Sequence, residues 1–167
     1  MSVNRYQPHV MVLPEDDANR QLANGFLLGL DWFVLRRIQV LEEVGGWNEV
    51  LDRFESDHVT GMDRYTNRFL VLLIDFDGKA GRLNDARNRI PERLTERVFI
   101  VGALSEPEDL KAAGLGSYEQ IGSAMAQDCR EETDTTWNHD LLRHNASELA
   151  RLREQVRPIL FFSAADD

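Results

Sequence analysis

Cysteine is almost absent. Cys129 stands alone in a chain of 167 residues, so no internal disulfide can form. A chain without disulfides is expected in a reducing compartment, here the cytoplasm. Long apolar runs are missing as well. The longest are six or seven residues, where a spanning helix needs about 20, so no membrane contact is expected. The opening Met1-Ser2-Val3-Asn4-Arg5 shows no basic segment leading into an apolar one, and no secretory signal is expected there. Positive charge is scarce: 19 Lys and Arg against 29 Asp and Glu leave a formal charge of −10. Such a chain is a poor passive binder of DNA or RNA, because neutralising phosphates takes Lys and Arg. A site built of carboxylates, however, also counts as acidic until cations bind it. There is no repeat and no low-complexity linker. What remains is an ordinary globular composition, 43% hydrophobic and 29% charged, and one domain over residues 1–167.

Strand and helix signals alternate. His9 to Leu13 is a short β-branched run stopped by Pro14. Ala18, Leu22, Phe26 and Leu27 recur at helical spacing, which predicts a helix from about Asp17. "RRIQVLEE" reads as a second strand ended by Gly45-Gly46. Trp47, Val50, Leu51 and Phe54 share a helical face. "NRFLVLLIDF" is the strongest strand, a continuous apolar run of the kind buried on both faces of a parallel sheet. Leu83 to Ile90 reads as a helix broken by Pro91, and Arg97 to Leu104 as another buried strand. Helices follow, in "EPEDLKAAG", "SYEQIGSAMAQDC" and "HDLLRHNASELARLREQV", and "PILFF" reads as a last short strand. The expected fold is α/β: a mainly parallel sheet of about four strands flanked by helices, with a helical C-terminal part over about 110–167.

Ligands of open α/β sheets bind at the carboxyl ends of the strands. Each of the three firm strand signals ends in acids: Glu15, Asp16 and Asp17; then Asp75 and Asp77; then Glu106, Glu108 and Asp109. Residues two apart on an extended chain point the same way, so Asp75 and Asp77 are expected to face one ion. Mg²⁺ takes oxygen ligands and is commonly held by one or two carboxylates plus waters and substrate phosphate.

A first strand ending in Glu15 and a later apolar strand ending in Asp75-x-Asp77 resemble the Toprim domain of topoisomerases, primases and OLD-type nucleases. The resemblance covers roughly residues 8–109. It implies a Toprim or Rossmann-like sheet, with Glu15 as general acid/base or metal-linked carboxylate and Asp75 and Asp77 as a metal-binding pair. Glu108, or in second place Glu106, matches the further acid of the nuclease branch. It implies Mg²⁺ or Mn²⁺ and phosphodiester hydrolysis on nucleic acid. Asp16 stands where the family usually has glycine. A topoisomerase would need a tyrosine in a further domain, for which there is no room. No Gly-x-x-x-x-Gly-Lys is present, since Leu73 stands where the first glycine should be, so an ATPase would be a partner chain.

Arg82, Arg87, Arg89, Arg93 and Arg97 are the densest arginines of the chain, and the first three are candidate contacts to a nucleic-acid backbone. The competing reading is a solvated face paired with Asp85, Glu92 and Glu96. "PEDD" also suits a helix start, and "SEPE" a capping box with Ser105 at the cap and Glu108 three residues on. Two other classes stay open. "LIDFDG" resembles the first motif of haloacid-dehalogenase-like phosphatases, in which Asp75 would be the nucleophile and Asp77 a general acid; the later acids available are only Asp166 and Asp167. The other class is a non-catalytic α/β interaction module. Cys129, His139 and His144 fit no standard zinc spacing. Nothing in the sequence bears on the oligomeric state.

Overall fold

The computed structural model describes residues 2–162; Asp166 and Asp167 lie outside them. Four strands carry the sheet: β1 (His9–Pro14), β2 (Ile38–Val40), β3 (Arg68–Leu73) and β4 (Val98–Val101). Their order is β2-β1-β3-β4, and every pair is parallel. The α/β expectation therefore holds. β1 and β3 occupy the middle, paired from His9↔Arg68 to Pro14↔Leu73.

Alternate side chains feed two cores, because successive residues of a strand face opposite sides. Met11, Leu13, Leu70, Leu72 and Ile100 point to one face, where they meet Val50, Leu51, Phe54, Met62, Ala86 and Leu94. These come from α2 (Trp47–Arg53), α3 (Val59–Arg64) and α4 (Arg82–Arg87), together with a π-helical turn, Phe54–His58, and a 3-10 turn, Glu92–Arg97. Val10, Val12, Val71, Phe99 and Val101 point to the other face. There they meet Ala23 of α1 (Asp17–Leu28) and Val156 and Ile159 of α7 (Ala146–Leu160). A third cluster joins α1 to α5 (Pro107–Ala112) and α6 (Tyr118–Glu131) through Leu22, Leu110, Ile121 and Met125. The contact of α1 with α6 is unusually close. A methyl group added at Gly122 would lie 2.0 Å from the carbonyl oxygen of Leu22, and one at Gly25 would lie 2.3 Å from that of Glu119.

Several local readings need correction. "PILFF" is no strand: α7 continues through Leu160 with Pro158 inside it, since α7 packs its apolar face on β4 and buries Ile159 and Leu160. The second strand is only Ile38–Val40, because Trp32–Arg37 forms a 3-10 turn. The helix read from "HDLL" onward starts only at Ala146. Asn145 interrupts it by turning its side chain to the sheet, donating to the carbonyl of Gly102 and accepting from its N–H. Glu106, not Ser105, is the residue before α5, and it makes no side-chain cap; Pro107 takes the first helical position.

Candidate functional site

The acids lie where the topology places them, at the carboxyl ends of the two central strands. β1 ends at Pro14 and its ladder runs one step further, the N–H of Glu15 donating to the carbonyl of Leu73 at 2.9 Å. β3 is prolonged along the chain that follows β4, with Ile74 bonded to Val101 and Phe76 to Ala103. This rigid frame brings the Glu15 carboxylate to the backbone of Asp75, whose N–H it accepts at 2.6 Å. Both side chains are buried.

α1 closes the pair from the side. Asp16, extended, is its N-cap, and one of its carboxylate oxygens accepts the N–H of Asn19 at 2.9 Å. The capping role read in "PEDD" thus belongs to Asp16 and leaves Glu15 free for the sheet edge. Asn19 is fully buried. Its amide nitrogen donates to Asp16 at 3.0 Å and to Asp75 Oδ1 at 2.8 Å, while its Oδ1 is buried without a partner. Sequence reasoning passed over Asn19. The signal was present, a polar residue between the core-facing Ala18 and Leu22, three residues after an Asp.

Asp75 and Asp77 do not share one face. Asp77 sits in the left-handed region at φ 49° and Gly78 at φ 69°, so the extended geometry that would align the two acids ends at Phe76. The turn is fixed by the N–H groups of Asp77 and Gly78, which donate to the carbonyls of Ser105 and Leu104. Asp77 therefore faces outward, its side chain half exposed. It meets Arg82 instead, whose Nη1 donates to Asp77 Oδ2 and to the Asp75 carbonyl, both at 2.7 Å. The Arg82 side chain is only 4% exposed, and its guanidinium stacks 4.5 Å from the ring centroid of Trp47.

Burial and crowding raise the acids. Asp75 is pushed up from 3.8 to about 8, chiefly by burial and further by Glu15, Asp16 and Asp77, against the Asn19 hydrogen bond that lowers it. Glu15 is also raised, first by burial, then by Asp16 and Asp77, with the Asp75 N–H and Arg82 opposing. Just before α5, Glu106 is raised by Glu108 first and also by burial, Asp109, Asp77 and Asp16. Tyr118, at the start of α6, is raised by burial and by Glu108, Asp16, Glu106 and Asp75. Its ring lies 4.7 Å under the Lys111 ammonium.

The other candidate arginines are held elsewhere. Arg87 pairs with Glu148, a fully buried acid on α7 that also accepts the Ile100 N–H at 2.9 Å. Arg89 bridges Asp52 and Glu55, and Arg93 pairs with Asp63. Arg97 donates to the carbonyls of Met62, Tyr65 and Arg68. These partners are not the expected Asp85, Glu92 and Glu96.

Among the described residues, no three His, Cys, Asp or Glu side chains converge closely enough to hold a metal ion as they stand; this includes Cys129, His139 and His144. The oxygens gathered at this edge that could serve a hard cation are those of the two buried carboxylates, Glu15 and Asp75, and Asn19 Oδ1, which is buried without a partner. Among the described residues, no helix is long and apolar enough to cross a membrane. Compared with known proteins, the chain matches no family model, no curated protein and no solved structure.

Proposed function

We propose that the chain is a Toprim-like, divalent-cation-dependent phosphodiester hydrolase acting on a nucleic-acid backbone. One observation carries the reading: the Glu15 carboxylate accepts the Asp75 N–H at 2.6 Å across the two central parallel strands, so two buried acids meet at the carboxyl edge. Burying such a pair is unfavourable without a cation nearby. Glu15 and Asp75 would hold Mg²⁺ or Mn²⁺, with Asn19 bonded to Asp75, and with Asp77, Glu106 before α5 and Glu108 on α5 farther out. When bound, the ion polarises the phosphodiester and activates the attacking water. Glu15, raised above its ordinary value chiefly by burial, is suited to move a proton to or from a water at the sheet edge. Of the three candidate arginines only Arg82 lies at the site, so any grip on phosphate there falls to Arg82 rather than to Arg87 and Arg89. An ATPase, if one acts with the site, is contributed from outside these 167 residues.

The absence of three convergent ligands favours a second reading, a non-catalytic module in which Arg82 permanently neutralises the acids. Melting in EDTA and in millimolar Mg²⁺ or Mn²⁺, together with incubation with single- and double-stranded DNA and RNA, separates the two. The hydrolase reading expects a melting temperature that rises by several degrees with the ion in the wild type and not in Asp75→Asn, since an ion at a hundred times its dissociation constant adds about 2.7 kcal/mol. It also expects cleavage that disappears in Asp75→Asn. An ion-independent melt with no cleavage of any substrate returns the chain to the interaction module.

A further inference from the structure

We propose that Arg82 is a resident counter-cation of the carboxyl-edge site, occupying the oxygens of Asp75 and Asp77 until a divalent ion displaces it. The inference rests on the cation-binding reading above and names what regulates that site.

The guanidinium is placed as a cation would be. A single nitrogen, Nη1, touches the Asp75 carbonyl oxygen and Asp77 Oδ2, both at 2.7 Å. Arg82 is otherwise poorly served. It is almost wholly buried, and its Nε has no hydrogen-bond partner. A guanidinium carries five N–H donors, and leaving a buried one unmade is costly. What holds the group is charge on one side and the Trp47 ring on the other. Arg82 is therefore fixed by the acids more than by a complete hydrogen-bond cradle, and it is available to leave. A second feature points to a ligand independently: Asn19 is fully buried, bonds Asp75 through its nitrogen, and leaves Oδ1 without a donor.

Two cations at contact distance on the one Asp77 carboxylate repel each other, the more so because the Arg82 side chain is almost wholly buried. Recruiting Asp77 as a ligand thus requires Arg82 to release it. The released guanidinium, on the first turn of α4, stays beside the site with free donors suited to a phosphate. Ion binding and exposure of a phosphate-binding arginine become one event.

Isothermal titration with Mg²⁺ of the full chain, wild type against Arg82→Gln and Arg82→Lys, tests this. Removing the competing charge is expected to tighten Mg²⁺ by roughly tenfold or more in Arg82→Gln, while Arg82→Lys stays near wild type. A wild type that binds Mg²⁺ with Arg82→Gln no tighter overturns the proposal and leaves the hydrolase reading standing. Binding by Arg82→Gln alone would make Arg82 a permanent counter-cation that no ion displaces, and overturns both the displacement and the hydrolase reading for the wild type. Binding by neither overturns both. Should Arg82→Gln fail to fold, tryptophan fluorescence of the wild type decides: Mg²⁺ is expected to change it as the guanidinium leaves Trp47, and Trp47→Phe to abolish that change. Calorimetric binding with no Trp47-dependent change overturns the displacement.

Discussion

Glu15, just beyond β1, and Asp75, beyond β3, are joined through a carboxylate and a backbone N–H, 2.6 Å apart and 60 positions distant in sequence. The bond holds the Glu15 carboxylate against the main chain of Asp75, whose own side chain is buried beside it. The pair therefore carries its electrostatic cost into every folded molecule.

That cost predicts a pH dependence with a definite sign. Asp75 titrates at about 8 in the folded chain against an ordinary 3.8, so between these values the folded state holds a proton that the unfolded state has lost. The contribution is fully present at low pH and is lost as pH rises toward about 8. The slope is at most about 1.4 kcal/mol per pH unit for one proton. Urea unfolding in EDTA from pH 5 to pH 8 is expected to show falling stability in the wild type and a flatter profile in Asp75→Asn. At pH 8 the variant is expected to be the more stable protein. Parallel profiles would show that Asp75 is ionised throughout.

Asn19 ties Asp16 and Asp75 together, so Asn19→Ala leaves a buried carboxyl short of its donor. A loss of about 1–3 kcal/mol follows from an unsatisfied buried group. The variant should also move the pH dependence of Asp75 upward, because the lost hydrogen bond was lowering it. Urea titration across pH reads both effects, and an unchanged pH profile would separate Asn19 from Asp75.

Arg87 is expected to matter for folding rather than for nucleic acid. Its partner Glu148 is buried and also accepts from Ile100 and Arg151. Glu148→Ala is predicted to cost about 3–5 kcal/mol by leaving Arg87 and the Ile100 N–H uncompensated. Arg87→Ala should lose stability, with no change in the salt dependence of any DNA or RNA binding beyond that of the wild type. A reduced salt slope in Arg87→Ala would return Arg87 to the substrate surface.

Gly122→Ala tests the crossing of α1 and α6. The added methyl meets the main chain of α1 at Leu22, which cannot rotate away as a side chain would. A loss of about 2–4 kcal/mol is expected from forced backbone displacement, against a small effect for Gly81→Ala, where nothing lies near the new Cβ. Equal melting of the two variants would contradict the close approach.

The strands and their terminal acids were legible because a parallel sheet buried on both faces writes itself as unbroken apolar runs, and "FLVLLI" and "VFIV" have no other reading of comparable strength. Glu15 and Asp75 could be placed from that frame alone. Asp77 could not, because its left-handed turn is set by carbonyls of Leu104 and Ser105, nearly 30 residues away. The arginines were misread for the same reason. Local spacing suggested Asp85, Glu92 and Glu96, whereas folding delivered Asp52, Glu55, Asp63 and Glu148 from other elements. "PILFF" reads as a strand because it is a short apolar run, yet the surface that α7 covers decides the matter and carries the helix through Pro158.

The central place of β1 also governs the order of events during synthesis. β1, the first of these four strands in chain order, becomes an inner strand, and its long partner, β3, begins 59 residues after His9, at Arg68. Until then β1 has only the three-residue β2 to lie against. Closing so long a connection is slow compared with forming the intervening helices. Glu15 therefore waits in solvent while α1 and α2 form, and the pair with Asp75 assembles only when the sheet closes. The meeting of Glu15 with Asp75 is thus a property of the closed sheet and of no earlier, shorter length of the chain.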